Sequence, residues 1–70
     1  MRVFLRPHED GGVDVEFMIP PPAHGRARGY FHPGASYQGV PTEELRDLVW
    51  IDLDEDGVVI HREPRMVRPA

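Results

Sequence analysis

The stretch Val13-Asp14-Val15-Glu16-Phe17-Met18-Ile19 decides the fold. Apolar side chains at 13, 15, 17 and 19 alternate with Asp14, Glu16 and Met18, a period of two that matches a strand and not the 3.6 of a helix. One face is therefore destined for a core and the other for solvent. Upstream, His8-Glu9-Asp10-Gly11-Gly12 is turn chemistry, because glycine supplies the positive φ angles that tight loops need. Arg2 to Arg6 before it is short and β-leaning, so the two segments form a hairpin. Downstream, Pro20-Pro21-Pro22 ends the strand, since proline has no N–H for the ladder and favours an extended polyproline conformation.

The middle of the chain, Ala23 to Gly39, is the least regular part. His32-Pro33-Gly34-Ala35 matches a type II turn, with proline second and glycine third. Arg28 to Phe31 and Ser36 to Val40 read as a second hairpin around it, the alternative being a mobile loop. Thr42 then reads as a helix N-cap, with Glu43 and Glu44 at the positive end of the helix dipole. Leu45, Leu48 and Val49 fall at i, i+3 and i+4, an apolar stripe, while Glu43, Arg46 and Asp47 face water. Trp50-Ile51-Asp52-Leu53, the acidic turn Asp54-Glu55-Asp56-Gly57 and Val58-Val59-Ile60-His61 follow as a further hairpin, stopped by Pro64. The fold class is α+β: a small, mainly antiparallel sheet built from hairpins, with one short helix, about Thr42–Val49, packed on one face. One domain spans 1–70, with 65–70 as an edge strand or a disordered tail. The words Val15-Glu16-Phe17 and Tyr37-Gln38-Gly39-Val40-Pro41, leading into a short helix, are similar to the KTSC family of small domains over under half of the chain. The Lys-Thr-Ser-Cys element itself is absent, and no family is assigned on this similarity.

Composition narrows the function. Seventy residues without a cysteine allow one marginal core and no disulfide or thiolate metal site. No segment approaches the length of a membrane span, and Met1 to Pro7 does not make a signal peptide, so a soluble, cytoplasmic protein is expected. The net charge of −4 argues against general nucleic-acid affinity.

Asp52-Leu53-Asp54-Glu55-Asp56-Gly57, followed after five intervening residues by Glu63, matches the calcium-loop pattern, in which alternate carboxylates converge on a hard cation. Such a loop must lead into a helix, whereas here Pro64 follows and Val58-Val59-Ile60 favours a strand. A hairpin with a solvated acidic turn is the preferred reading; if calcium binds, Asp52, Asp54, Asp56 and Glu63 are the ligands. The four histidines, at 8, 24, 32 and 61, have no metal-site spacing. Ser36 lacks a nucleophile elbow, Thr42 serves better as a cap, and the carboxylates lie in exposed runs that do not raise a pKa. Neither an enzyme nor a cofactor is expected.

Two binding surfaces remain. Arg26, Arg28, Tyr30, Phe31 and Tyr37 combine guanidinium groups with aromatic rings, the means of single-stranded nucleic-acid binding. Asp52, Asp54, Glu55 and Asp56 concentrate negative charge at one hairpin end, where it can steer docking on a basic groove, including one that normally holds nucleic acid. Asp54 and Glu55, nearest the tip, are expected to be the most exposed and least needed for folding. The leading expectation is a small non-enzymatic interaction protein of the accessory or inhibitor kind, docking on a larger protein through the acidic end. In size and charge it resembles inhibitors encoded by phages and mobile elements, an analogy that rests on no motif. A nucleic-acid-associated regulatory module is the second expectation and a calcium-binding module the third. Homodimerisation through a strand edge stays open.

Overall fold

The computed structural model describes residues 1–18 and 26–66, with the side chains of 18 and 26–28 left aside. Ile19, the Pro20-Pro21-Pro22 stop and the tail from 67 onward lie outside the described residues. Five antiparallel strands form the main sheet: β1 (Arg2–Pro7), β2 (Val13–Met18), β3 (Arg26–Phe31), β6 (Leu48–Leu53) and β7 (Val59–Pro64). A two-stranded ribbon, β4 (Ser36–Tyr37) with β5 (Val40–Pro41), and the helix α1 (Thr42–Leu45) come between β3 and β6. The spatial order is β3-β2-β1-β6-β7. Thus β1 lies in the middle, and the segment from β3 to β6 crosses from one half of the sheet to the other. Among the described residues no helix is long and apolar enough to cross a membrane.

The expected alternation holds. Val13 and Val15 have no exposed surface and Phe17 packs against the same core, while Asp14 and Glu16 lie on the opposite face. Strand β1 behaves likewise, with Val3 and Leu5 inward and Arg2, Phe4 and Arg6 outward. Val3 sits opposite Phe17 and Leu5 opposite Val15, so both strands send the same parity inward. Ile51 and Leu53 of β6 complete the buried face, and Val40, Thr42 and Leu45 of the crossover close over it. The other face of the sheet, with Phe4 at its centre, carries no covering layer among the described residues.

Three expectations need correction. The helix is one turn, Thr42–Leu45, and not eight residues; Leu48 and Val49 begin β6. Their i, i+3, i+4 spacing with Leu45 mimics a helical stripe, but the following Trp50-Ile51 run is β-forming and pairs with β1, and this long-range ladder overrides the local pattern. Thr42 is not the N-cap. Pro41 holds that position without a side-chain cap, and the Thr42 hydroxyl donates to the Ala35 carbonyl instead. The second hairpin is also different: β3 pairs along its whole length with β2, whereas Ser36 to Val40 folds on itself as β4-β5. The turn Gln38-Gly39 has positive φ at both residues, as a two-residue type I′ hairpin requires. The type II turn at 32–35 is present, with Ala35 N–H donating to His32 O and Gly34 at φ +87°.

Two irregularities break the β6-β7 ladder. Trp50 faces Glu63 and Leu48 faces Pro64, so Val49 is an extra residue; Asp52 faces His61 and Leu53 faces Val59, so Ile60 is another. Such bulges re-aim side chains locally. Ile60 stands 63% exposed on an edge strand.

Candidate functional site

The acidic turn between β6 and β7 is fastened from several sides. Asp54 N–H donates to Val58 O at 3.0 Å and Gly57 N–H donates to Asp54 O at 3.1 Å. Asp54 Oδ1 accepts the N–H groups of Asp56 and Val58, both at 2.9 Å. Gln38, at the tip of the β4-β5 ribbon, donates from Nε2 to Gly57 O at 2.6 Å. Gly57 has φ +82°, a backbone conformation that favours glycine, and a Cβ there would push the Gln38 amide out of its bond to Gly57 O. Met1 ties the same end together by donating its amino group to Leu53 O and accepting Leu53 N–H.

The four acidic residues therefore divide. Asp52 is held by Arg2, with Nε to Oδ1 at 3.0 Å and Nη2 to Oδ2 at 3.2 Å. That hydrogen bond keeps the Asp52 carboxyl below the usual carboxylate range. Asp54 spends one oxygen on the turn itself and is only partly exposed, less so than Glu55 and contrary to the expected exposure. Glu55 and Asp56 point into solvent. Beside them Val58 is 56% exposed, next to Ile60. Glu63, the fourth residue of the calcium pattern, stands on β7 opposite Trp50. Among the described residues no three His, Asp or Glu side chains gather as a metal site.

The aromatic segment is split by the sheet. Tyr37 and Phe31 meet at 5.2 Å between ring centroids, and Tyr37 meets Phe17 at 5.9 Å, all on the core side. Burial raises the Tyr37 pKa. Tyr30, opposite Asp14, is 47% exposed, and its hydroxyl donates to Asp10 Oδ2. This bond raises the Tyr30 pKa and lowers that of Asp10. The ring also covers Gly12 so closely that a Cβ there would strike it. Arg26 and Arg28 stand opposite Met18 and Glu16 in β3, and their side chains lie outside the described ones.

A cluster on the uncovered sheet face was not visible in the sequence. Arg2 lies 3.6 Å from the centre of the Trp50 ring, and His61 stacks on Trp50 at 5.1 Å with 23° between planes. Arg2 comes from β1 and His61 from β7, the two strands flanking Trp50 in β6. Phe4, directly opposite Trp50, is 38% exposed although it belongs to the middle strand. One signal was available: Val3-Phe4-Leu5 is apolar without alternation, as in a strand with apolar contacts on both faces.

Arg46 likewise does more than face water. Its Nη1 donates to His8 O at 2.5 Å and Gly12 O at 2.8 Å, fixing the β1-β2 turn onto the segment after α1. Glu43 accepts Gly34 N–H at 3.0 Å, and its pKa is lowered by backbone hydrogen bonds. No family model matches the chain, no curated protein matches it, and no solved structure matches it.

Proposed function

We propose that the protein is a small non-enzymatic interaction protein that docks on a basic surface of a larger protein through the β6-β7 turn. The observation that carries this reading is the clamped turn. Glu55 and Asp56 project from a backbone held by Asp54 and Gln38, so little conformational freedom is lost when they are engaged. The exposed Val58 and Ile60 supply apolar area beside the charge, the combination that protein interfaces use. Nucleic-acid binding through Arg26, Arg28, Tyr30, Phe31 and Tyr37 is the weaker reading, because Tyr30 and the Phe31-Tyr37 pair occupy opposite sides of the sheet.

The test is capture from the native host with two baits, the wild-type chain and Glu55→Arg with Asp56→Arg. A partner protein should bind the first at least about tenfold faster than the second, and binding should weaken as salt screens charges beyond about 8 Å. Equal capture by both baits, or capture that nuclease abolishes, refutes the reading.

A further inference from the structure

Strands β1 and β6 pair only from Arg2 to Phe4. Beyond that point the Val49 bulge carries β6 away, and the gap is bridged by Arg65, which follows β7. Arg65 Nη2 donates to Leu5 O and to Leu48 O, each at 3.1 Å, while its backbone N–H donates to Asp47 O at 2.7 Å. A guanidinium thus takes the place of the missing ladder bonds. The parting of the strands leaves a cavity of about 240 Å³ lined by Phe4, Leu5, Arg6, Glu16, Val49 and Arg65.

The chemistry of this lining is specific. Phe4 and Val49 offer an apolar wall. Arg65 is immobilised through one nitrogen, and its remaining N–H groups are not used by any described residue. Arg6 makes no hydrogen bond or ion pair with the described residues. The one carboxylate in the wall, Glu16, has an interaction of its own. Nearby Asp14 is paired with His8 at 2.6 Å. Two guanidinium groups, one of them fixed in position, therefore line the cavity beside Phe4 and Val49, with Glu16 in the same wall and Asp14 across from Arg6. A planar guanidinium fork matches a carboxylate by paired hydrogen bonds.

We infer that this cavity is a second binding site, separate from the acidic turn, that takes the carboxylate of a small apolar group. Arg6 and Arg65 hold the carboxylate and Phe4 with Val49 contact the apolar part. Two sources share this chemistry: a free aryl or alkyl acid, and the carboxyl terminus of a peptide ending in an apolar residue.

The experiment is an amide and arginine-side-chain chemical-shift titration of the whole chain. The probes are phenylacetate, its neutral analogue phenylacetamide, and a short peptide ending in Phe with a free or an amidated terminus. Phenylacetate or the free-acid peptide should give saturable shifts at Phe4, Arg6 and Arg65, with the matching amide at least about tenfold weaker, the loss that one charge-assisted hydrogen bond represents. Arg6→Gln, at an exposed side chain with no hydrogen bond to the described residues, should weaken the acid by at least about tenfold and leave the rest of the spectrum in place. Tighter binding of the peptide identifies a chain terminus as the source, and tighter binding of phenylacetate a free acid. No shift at these residues up to about 20 mM, equal binding of acid and amide, or no effect of Arg6→Gln overturns the inference.

Discussion

Asp54→Ala isolates the clamp on the acidic turn. The substitution removes the acceptor of two backbone N–H groups, those of Asp56 and Val58, each bonded at 2.9 Å. Replacing an aspartate that accepts such bonds at a helix start costs about 0.5–2 kcal/mol, and the same local geometry operates here on a partly exposed side chain. Two N–H groups that fall back on water give a cost of about 1–2 kcal/mol. For a chain of this size each kcal/mol lowers the melting temperature by about 4–8 °C, so a fall of about 5–15 °C is expected. Asp54→Asn keeps an acceptor oxygen in place and should recover most of it. Glu55→Ala, one residue along and exposed, should stay within about 0.5 kcal/mol of wild type. Thermal unfolding followed by far-ultraviolet circular dichroism measures all three. If Asp54→Ala and Glu55→Ala melt within about 2 °C of each other, the turn is not held by Asp54 and the preorganisation reasoning fails.

Val15→Asp should abolish cooperative unfolding, because an unpaired charge at a fully buried position costs several kcal/mol against a total stability of roughly 5; a native-like melting curve contradicts the register. Tyr30→Phe tests the pair with Asp10. The lowered Asp10 pKa contributes stability that is present above its unfolded value and lost as pH falls through the native one. The raised Tyr30 pKa contributes stability present below its unfolded value and lost as pH rises through the native one. In the variant the Asp10 titration, read by carboxyl chemical shifts, should move up toward the ordinary range. An unmoved midpoint removes Tyr30 as the cause.

The parts of the fold that were legible in the sequence are those where neighbours in space are near neighbours in the chain. The alternation from Val13 to Phe17, the glycine-rich turn before it and the Asp56-Gly57 turn each specify a hairpin by local chemistry. Leu48 and Val49 misled because one apolar spacing serves two structures, and the choice between them was made by β1, some fifty residues away. The pairing of β3 with β2 was hidden for a related reason: the Pro-rich stretch between them reads as a stop, and nothing in it announces that the chain returns to the same strand. The candidate sites show the same limit. Glu55 and Asp56 could be picked out as an acidic turn, but the demotion of Asp54 to a structural acceptor needed its hydrogen bonds. The Arg2-Trp50-His61 stack and the cavity beside Phe4 needed the strand order.

The central place of β1 has a consequence for the chain while it is being made. Strands β1 and β2 precede the rest of the sheet in the chain and can close their hairpin once both are made, yet Val3, Leu5, Val13 and Val15 then present a bare apolar face. Their lid, Val40 to Leu45, and the partner strand carrying Ile51 and Leu53 are made only later, after β3. Contacts between such distant segments form slowly, and an early hairpin with an unsatisfied edge is the species most open to pairing with a neighbouring nascent chain. For this protein, the interval between synthesis of Val15 and of Leu53 is the period of greatest exposure to aggregation, and slowing elongation across it should lower the yield of folded protein.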